Sequence, residues 1–472
     1  MDNHDADVLV IGGGISGLTT AWWLAQAGLA VEVWEKGERL GGKISSQRKS
    51  GYLLERSASL LMNFRPEVSR FLNESGLTTS KILAPPKPTR YTVHQGRLEA
   101  VPASIRAMIS SPVWSLKGRL RLAMEPFVPA GGSSQETVSE FISRRLGREM
   151  LEKFIDPYVA GPLASDPDQA NAYSVLPRLT ALEQRYGSLG LGVLAHKAMR
   201  KRTASVTEAI SFQGGMSTMV QTLANCRGVS FRSGRSVSGL EPTADGWRVA
   251  AVTHAGECSL HAKHVVISTP AAAASVLTLS LDAELSSLLD GIEYAPVSVV
   301  HLGFCRDAIS HALNGNGFLT GRQPGHALTG SLWMSSIFSN RAPTGSVLLT
   351  NYLGGSRRSE GAAWDDTRSI SEALKALSPL LGIKGDPEMV HIDRHHEALP
   401  LYHGAYHARM QSIEERLQHL PGLHLEANYR GGVSVRDRIT CGHAAAQRIL
   451  NSLGCNSGAS HLGVMTDGVF GH

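Results

Sequence analysis

The first strong pattern along the chain is a short apolar run that stops at a cluster of glycines. The residues from Asp7 to Ile11 have the composition of a buried strand, and glycines recur from Gly12 to Gly17. Leu18 to Ala27 then predict a helix, and Val31 to Trp34 predict a second strand that ends at Glu35. A strand, a glycine turn, a helix and a second strand in this order predict a βαβ unit.

The rest of the chain alternates strand patterns with helical ones. Arg90 to His94, a Gln95-Gly96 turn and Arg97-Leu98 predict a β-hairpin. Between residues 101 and 205 the apolar spacing is helical. The elements predicted beyond that point are strands at 229–231, 235–240, 247–253, 264–270, 297–304 and 347–352, a helix near 367–381, and a strand, glycine loop and helix within 424–453.

Composition fits a large α/β enzyme and excludes several other classes. The chain has 472 residues, enough for two or three domains, and its net charge of +5 comes without a basic and aromatic motif for nucleic acid. Five single cysteines fit a reducing compartment and argue against a disulfide framework. We find no apolar run of about 18 residues and no room for a signal peptide before the first strand. We therefore expect a cytoplasmic protein, with peripheral attachment at the inner face of the membrane left open.

The glycines of the βαβ unit have distinct physical roles. Gly12 permits the tight turn, Gly14 lets the backbone approach a pyrophosphate, and Gly17 lets the helix pack closely on the strand. The free N–H groups at the helix start hold phosphate, and the carboxylate of Glu35 accepts ribose hydroxyls. The predicted dinucleotide site consists of Gly12, Gly13, Gly14, Ile15, Ser16, Gly17, Glu35 and Lys36.

A second glycine pair indicates which dinucleotide to expect. Arg39 is followed closely by Gly41, Gly42 and Lys43. A nicotinamide site has no need of these glycines, whereas an extended FAD runs past this loop and requires close backbone approach. Lys43 and Arg39 can face phosphate. We therefore predict FAD, bound by a Rossmann-type domain of the glutathione-reductase and amine-oxidase kind.

The order of the elements predicts an α/β fold in which this domain is assembled from separated pieces. A mixed-sheet substrate domain and a helical insertion, with membrane association left open, complete the predicted fold. The expected boundaries are 1–66, 206–285 and 420–455 for the FAD-binding domain, 67–100 and 286–419 for the substrate-binding domain, 101–205 for the helical domain, and 456–472 for a flexible tail.

One segment of the helical region, 105–128, combines apolar and basic residues. Trp114, Leu116 and Leu120 lie among Lys117 and Arg121, and no acid precedes Glu125. A basic face beside an apolar face suits the surface of an anionic bilayer. It equally suits an ordinary packed helix with a solvated basic face, and the sequence leaves both interpretations open.

The carboxyl-terminal segment carries the most specific motif. A strand meets a Gly431-Gly432 loop, and Val433, Ser434 and Val435 open a helix whose free N–H groups can face a group that gains negative charge. On this motif the chain resembles the protoporphyrinogen oxidase family. The resemblance runs from Val8 to Ile449, and five further stretches carry it: 90–98, 154–161, 212–216, 294–304 and 399–404.

The resemblance implies roles for individual residues. Arg90 corresponds to an arginine that pairs with a substrate propionate, and a guanidinium suits that role because it presents a planar fork to a carboxylate. Leu319 and Tyr352 correspond to positions that sandwich the macrocycle, although both are equally typical of a core. Ala160-Gly161 corresponds to a backbone segment near the substrate ring. The further flavin-nucleotide contacts implied are Val237, beside the adenine, and Val433, Ser434 and Val435, beside the flavin.

The resemblance also implies a reaction, an oxygen-dependent six-electron oxidation of protoporphyrinogen IX in haem biosynthesis. Hydride passes to FAD and oxygen is reduced to hydrogen peroxide, so no catalytic side chain beyond the flavin is expected. Coproporphyrinogen III is the alternative substrate, which additional arginines in the pocket would favour. A divergent FAD-dependent amine oxidase or desaturase, and a flavoprotein without catalysis, also remain open. So does assembly as a homodimer.

Three departures from the family's pattern surround the expected cofactor. Arg56-Ser57 replaces a Gly-Pro pair, Ala427-Asn428 replaces Gly-Asn, and His395-His396-Glu397 occupies a position where tryptophan is expected. An altered substrate or mere drift would explain them. Several histidines occur between His391 and His407, but they share no helix face and no acid or thiol completes a set, so we predict no metal site.

Overall fold

The computed structural model describes residues 6–86, 88–101, 114–199, 208–323 and 325–454. The predicted tail, 456–472, and the first part of the basic segment, 105–113, lie outside the described residues. The strands are β1 (Ala6–Ile11), β2 (Val31–Trp34), β3 (Ser46–Lys49), β4 (Tyr52–Glu55), β5 (Leu61–Asn63), β6 (Lys81–Leu83), β7 (Thr89–His94), β8 (Arg97–Ala100), β9 (Glu208–Phe212), β10 (Val229–Arg232), β11 (Ser236–Pro242), β12 (Trp247–Thr253), β13 (Gly256–Ile267), β14 (Tyr294–Cys305), β15 (Gly315–Thr320), β16 (Leu328–Trp333), β17 (Ser346–Gly354), β18 (Met389–Pro400) and β19 (Leu423–Leu425).

Helices are concentrated in the middle of the chain and after the longer strands. They are α1 (Ile15–Gln26), α2 (Pro66–Glu74), α3 (Leu116–Ala123), α4 (Val138–Arg145), α5 (Arg148–Met150), α6 (Asp156–Ala160), α7 (Ala172–Val175), α8 (Pro177–Tyr186), α9 (Leu189–Met199), α10 (Ser217–Ala224), α11 (Ala271–Thr278), α12 (Ala283–Asp290), α13 (Met334–Ile337), α14 (Asp366–Leu381), α15 (Tyr406–Leu417) and α16 (Val435–Ser452). A wider helical turn, Leu151–Ile155, joins α5 to α6.

The first large sheet has the strand order β10-β2-β1-β13-β12-β11, and β19 also pairs with β13. β1 lies in parallel between β2 and β13. Val8 and Val10 belong to the hydrophobic core on one face of this sheet, and Leu9 and Ile11 belong to the core on the other. Because helices cover both faces, the apolar run at the start of the chain is buried all round, as expected of a central parallel strand.

The second large sheet has the order β18-β14-β17-β16-β15-β7-β8. β15 and β7 are parallel, and the other pairs are antiparallel, so the predicted mixed sheet is confirmed. Val93, Phe318 and Leu353 pack with Leu377 of α14 in one hydrophobic core. Side chains alternate between the faces of a strand. The residues next to these core positions therefore lie on the opposite face, which α14 does not cover.

Two differences from the sequence prediction have physical causes. The strand expected at 264–270 is β13, which ends at Ile267, because Pro270 has no N–H to donate and instead precedes α11. The hairpin β3–β4 was not predicted, since Ser46 to Lys49 are mostly exposed and show no apolar alternation. The hairpin contacts β18, where Lys49 Nζ of β3 donates to the Val390 carbonyl at 2.8 Å.

Candidate active site

The glycine turn after β1 forms as the sequence predicts. Gly12 has φ +106°, which a residue with a side chain rarely adopts. A methyl group built on Gly17 would lie 2.1 Å from the Gly12 carbonyl oxygen, so only glycine lets α1 start this close to β1. Gly14 precedes α1, and no described side chain caps the helix. Its first N–H groups are therefore available to an anion.

The carboxylate of Glu35 lies beside this turn. Its Oε2 accepts the Gly13 N–H at 2.7 Å, and its Oε1 accepts the Gly37 N–H at 2.9 Å. Each oxygen keeps a second lone pair that can accept a ribose hydroxyl. Arg235 donates its backbone N–H to the Glu35 carbonyl at 2.9 Å. This bond brings the start of β11, with Val237, to the same end of the sheet.

The second glycine pair lies directly against the first. The Gly41 N–H donates to the Gly13 carbonyl at 2.7 Å, and Gly41 and Gly42 have φ values of +101° and +57°. A methyl group on Gly42 would lie 3.2 Å from Cα of Gly14. This loop therefore borders the start of α1 so closely that only glycine fits. The remaining residues of the predicted set are buried Ser16, half-buried Ile15 and exposed Lys36.

The carboxyl-terminal motif meets the amino-terminal unit through two packed helices. Ser434 caps α16, where its Oγ accepts the Asp437 N–H at 3.2 Å, so Val433 and Val435 flank the helix start. Thr19 Oγ1 donates to the Arg438 carbonyl at 3.2 Å, and Trp23 Nε1 donates to the Ile439 carbonyl at 3.1 Å. These contacts place the opening turn of α16 beside α1, although the two are more than 400 residues apart.

These residues fit FAD. The uncapped start of α1 suits a pyrophosphate, the Glu35 carboxylate suits a ribose, and the positive φ angles of Gly12 and Gly41 allow close backbone approach. Thr269, which sequence reasoning missed, adjoins this turn, since a methyl on Gly12 would lie 3.4 Å from its backbone nitrogen. Its buried Oγ1 has no hydrogen-bond partner in the described part of the chain. The Ser-Thr-Pro sequence directly after a buried strand could have indicated it.

Two of the three departures from the family's pattern meet beside Lys43. The Ser57 hydroxyl donates to the Lys43 carbonyl at 2.8 Å, and His395 Nε2 donates to the Arg56 carbonyl at 2.8 Å. Lys43 Nζ donates to the carbonyl of Ala398 at 2.9 Å and to that of Glu397. Together they border a cavity of about 350 Å³ next to Gly42. Burial lowers the pKa of the Lys43 amine to about 8.

The third departure, Ala427-Asn428, lies away from Lys43, and the contacts of Ala427 support the local fold. Ala427 is buried, and its carbonyl accepts from Arg438, whose guanidinium also donates to Glu426 at 2.9 Å. Burial raises the pKa of the Glu426 carboxyl, and the neighbouring Arg438 opposes that rise. This buried pair holds the loop that leads from β19 to α16.

Three of the four predicted substrate residues come together on the face of the second sheet that α14 does not cover. Leu319 pairs with Gly330, and Gly330 pairs with Tyr352. Leu319, Gly330 and Tyr352 therefore form one row across β15, β16 and β17. A methyl group on Gly161 would lie 2.8 Å from Cδ2 of Leu319. Burial raises the pKa of the Tyr352 phenol to about 12, so the phenol stays protonated at neutral pH.

Arg90 lies one strand further along the same face. Tyr91 and Val93 of β7 pack against the covered core, so Arg90 and Thr92 point to the opposite side. Thr92 pairs with Leu319 across the parallel β7–β15 contact. Arg90 is exposed in this structure. It is therefore a surface arginine placed at the edge of the row, where a carboxylate on a ligand could reach it.

The histidines do not form a metal centre in the part of the chain that the structure describes, where no group of three His, Cys, Asp or Glu side chains is placed to hold an ion. His391 and His301 instead flank Asp393, with Nε2 atoms 3.3 Å and 3.7 Å from its Oδ2. Burial lowers the pKa of His301, which favours the neutral imidazole.

Comparisons with known proteins agree on one family. The family model described as flavin containing amine oxidoreductase matches residues 15–450. A protoporphyrinogen oxidase 2, chloroplastic/mitochondrial, of Arabidopsis thaliana is 29% identical, with 94% of each chain covered. A coproporphyrinogen III oxidase of Bacillus subtilis is 28% identical, covering 96% of this chain and 100% of that one. A candidate protoporphyrinogen oxidase structure from Exiguobacterium sp. 255-15 has a TM-score of 0.77 at 21% identity, covering 95% of this chain and 99% of that one, and supports the fold.

Proposed function

The chain belongs to the family of flavin-containing amine oxidoreductases and its cofactor is FAD; from this premise we propose that it is an oxygen-dependent porphyrinogen oxidase of tetrapyrrole biosynthesis. The observation that carries the proposal is the row formed by Leu319, Gly330 and Tyr352, with Gly161 packed against Leu319 and Arg90 at its edge. A flat apolar face with a guanidinium at one side suits a flat ring that carries carboxylates.

Protoporphyrinogen IX is the proposed substrate, and coproporphyrinogen III is the alternative. A protoporphyrinogen oxidase and a coproporphyrinogen III oxidase match the chain at nearly the same sequence identity, 29% and 28%. Overall similarity therefore does not separate the two, and the choice depends on how many carboxylates the site can receive.

The protein's own contribution is to position groups. Bound FAD would supply the acceptor for hydride and the route by which electrons reach oxygen. We propose that Glu35 holds the ribose and the start of α1 the pyrophosphate, while Val433 to Val435 at the start of α16 lie against the flavin ring. Leu319 and Tyr352 would fix the plane of the substrate, and Arg90 would fix its rotation through one carboxylate.

We also propose contact with a membrane surface through the helical insertion. Leu116 and Phe127 are each 82% exposed and Leu120 is 62% exposed, which is unusual for side chains of this size. Lys117 lies exposed among them. None of the described helices is long and apolar enough to cross a bilayer. The proposed contact is therefore one in which the apolar side chains enter the headgroup region and the basic ones meet anionic lipids.

Anaerobic mixing tests the proposed function. Purified protein loaded with FAD is mixed with protoporphyrinogen IX or with coproporphyrinogen III, and the visible absorbance of oxidised flavin is followed. We expect bleaching by at least one porphyrinogen, with porphyrin fluorescence after air is admitted. A simple primary amine serves as the control substrate. Bleaching by the amine alone, or by none of the three compounds, would contradict the proposal.

A further inference from the structure

A second cavity lies at the end of the sheet where β15 ends and β16 begins. Its volume is about 440 Å³, and Ala160 and Thr329 are among the residues that line it. A methyl group on Gly161 would lie 3.4 Å from the Thr329 carbonyl and 2.8 Å from Leu319. The cavity therefore borders the face on which the macrocycle is proposed to lie.

The wall of this cavity contains polar groups that no protein atom satisfies. Thr320 Oγ1, Ser356 Oγ and Arg357 Nε are buried and have no hydrogen-bond partner within the described chain. Buried polar atoms are normally paired with protein, water or a ligand. Both hydroxyls and the guanidinium N–H can donate. Three unused donors in one wall indicate that the cavity is built for a ligand group that accepts hydrogen bonds.

The charges around the cavity leave one cation without an acidic partner. Arg357 bridges Asp156 and Asp166, at 2.5 Å and 2.8 Å, and Arg322 pairs with Asp168 at 2.7 Å. Arg358 has no carboxylate partner among the described residues.

The contacts of Arg358 leave most of its donors free. Arg358 donates to the carbonyls of Gln323, at 2.8 Å, and His326. These bonds use two of its five N–H groups, so three remain for a ligand. His326, also in the wall, donates its Nδ1 hydrogen to the Leu328 carbonyl at 3.1 Å, and its buried Nε2 has no hydrogen-bond partner among the described residues. The other titratable groups of the wall are Asp166, Arg322 and Arg357.

The cavity and Arg90 lie at opposite ends of the second sheet, along the direction of its strands. Thr320, in the cavity wall, pairs with Val93 of β7. Val93 is three residues beyond Arg90 on the same strand, so the two ends are separated by roughly 10 Å at about 3.3 Å per residue. A ring over Leu319 would therefore present one edge to Arg90 and another edge to the cavity.

We propose that this cavity is a second carboxylate-binding subsite, in which Arg358 and Ser356 receive an anionic side chain from the substrate edge that faces away from Arg90. The inference rests on the proposed function and, of its two substrates, favours coproporphyrinogen III over protoporphyrinogen IX. Protoporphyrinogen IX carries its two carboxylates on neighbouring rings, at one edge, whereas coproporphyrinogen III carries one on every ring. Only the second kind of substrate can occupy both ends of the face at once.

Binding of the stable porphyrin products tests the subsite without turnover. Kd values for coproporphyrin III and protoporphyrin IX are measured by fluorescence with FAD-loaded wild type and Arg358→Gln. We expect the variant to raise the Kd of coproporphyrin III by roughly 10- to 100-fold and that of protoporphyrin IX by less than about twofold. Arg358→Lys should recover part of the loss, because it restores the charge but not the fork. Arg248→Gln, at an exposed position on β12, is the control.

A second variant is needed because Arg358 also links two loops through its hydrogen bonds, so its replacement affects folding as well as binding. Ser356→Ala removes a buried hydroxyl of the cavity wall that has no hydrogen-bond partner among the described residues. It should weaken coproporphyrin III binding by roughly 3- to 10-fold while flavin absorbance and thermal midpoint stay unchanged. An equal change for both porphyrins, or no change, in these variants would overturn the subsite. Failure of both porphyrinogens to bleach wild-type flavin would instead overturn the proposed function.

Discussion

At the scale of single residues, the partner of each cation decides whether it supports the fold or can meet a ligand. Arg145 and Arg438 are fully buried and pair with Glu125 and Glu426, so their charges are neutralised within the protein. Lys43 has carbonyl oxygens as its hydrogen-bond acceptors, and the nearby Glu397 carboxylate offsets the effect of burial on its pKa only in part. Burial of such a charge is costly unless an anion arrives. From this contrast we propose that Lys43 faces an anionic ligand.

The pKa of Lys43 leads to a prediction about cofactor binding. Because burial lowers this pKa to about 8, the amine loses its proton as the pH rises above that value. FAD carries a pyrophosphate and favours the protonated amine, so its affinity for the apoprotein should fall above about pH 8, by at most roughly tenfold per pH unit. Titrations that follow flavin fluorescence at several pH values measure this. Lys43→Arg stays charged and should flatten the profile; the same pH dependence in both proteins would refute the assignment.

Arg90→Ala tests the other proposed anion contact. Loss of a charged pair to a substrate carboxylate should lower kcat/KM by about 2–4 kcal/mol, which is roughly 30- to 1000-fold. Arg90→Lys should restore part of that loss. Arg227→Ala, at an exposed position outside the substrate face, is the matched control and should leave steady-state kinetics unchanged. If Arg90→Ala behaves like the control, the substrate does not reach this edge of the sheet.

At the scale of elements, two helix starts from opposite ends of the chain lie side by side, and we propose that they border the cofactor. α1 begins at the glycine turn, and α16 begins at Ser434, with its own capping box. Gly442 of α16 permits their close contact, since a methyl group there would lie 3.0 Å from the Thr20 nitrogen. The start of α1 has no side-chain cap and keeps its free N–H groups, whereas the start of α16 is capped by Ser434 and carries Asp437 in its first turn. The region that favours negative charge is therefore mainly the start of α1.

Gly17→Ala tests this arrangement. The added methyl would lie 2.1 Å from a backbone carbonyl, and neither β1 nor α1 can move without disturbing the sheet core. We expect purified Gly17→Ala to lose most of its flavin, with a stability loss of about 1–3 kcal/mol. Gly239→Ala is the control, because a methyl at that position meets nothing within 4 Å. Flavin absorbance per mole of protein and thermal unfolding distinguish the two, and full flavin retention by Gly17→Ala would contradict the packing argument.

At the scale of the whole molecule, we propose that one sheet face meets the substrate and that the helical insertion meets the membrane. The insertion has its own small core, which includes Trp114, Phe141 and Val159. Glu125 accepts the N–H groups of Leu189 and Gly190, which brings α9 beside the chain that follows α3. Six large exposed apolar side chains of this region are hereafter called the insertion patch: Leu116, Leu120, Met124, Phe127, Leu191 and Leu194.

The insertion patch gives a prediction about membrane binding. Replacement of Leu116, Leu120 and Phe127 together by serine should reduce co-sedimentation with anionic phospholipid vesicles by roughly tenfold or more, because less apolar surface enters the interface. The control replaces by serine Val276 of α11 and Leu279, which follows the helix; they are 74% and 60% exposed. Added salt should also weaken vesicle binding by the wild-type protein, because salt screens the attraction between Lys117 and anionic lipids. Equal sedimentation of both variants would show that the patch does not bind lipid.

The sequence by itself determined the local parts of this molecule. Gly12, Gly17, Gly41 and Glu35 could be assigned because a tight turn, close helix packing and ribose binding each demand one residue type at one spacing. The α/β class and the FAD cofactor followed from the same local rules, and the family comparison supports both. The residue roles on the substrate side came from resemblance and remain predictions.

The tertiary structure alone decided which distant residues meet. No local pattern marks β3, whose exposed strand is held by β18, or the approach of Arg56 and His395 to Lys43. The cavity around Arg358 arises only where the ends of several strands and a helical loop converge. Periodicity reports which face of an element is buried, but pairing partners and unsatisfied donors are properties of contacts between elements. Those contacts are set by the packing of the whole chain.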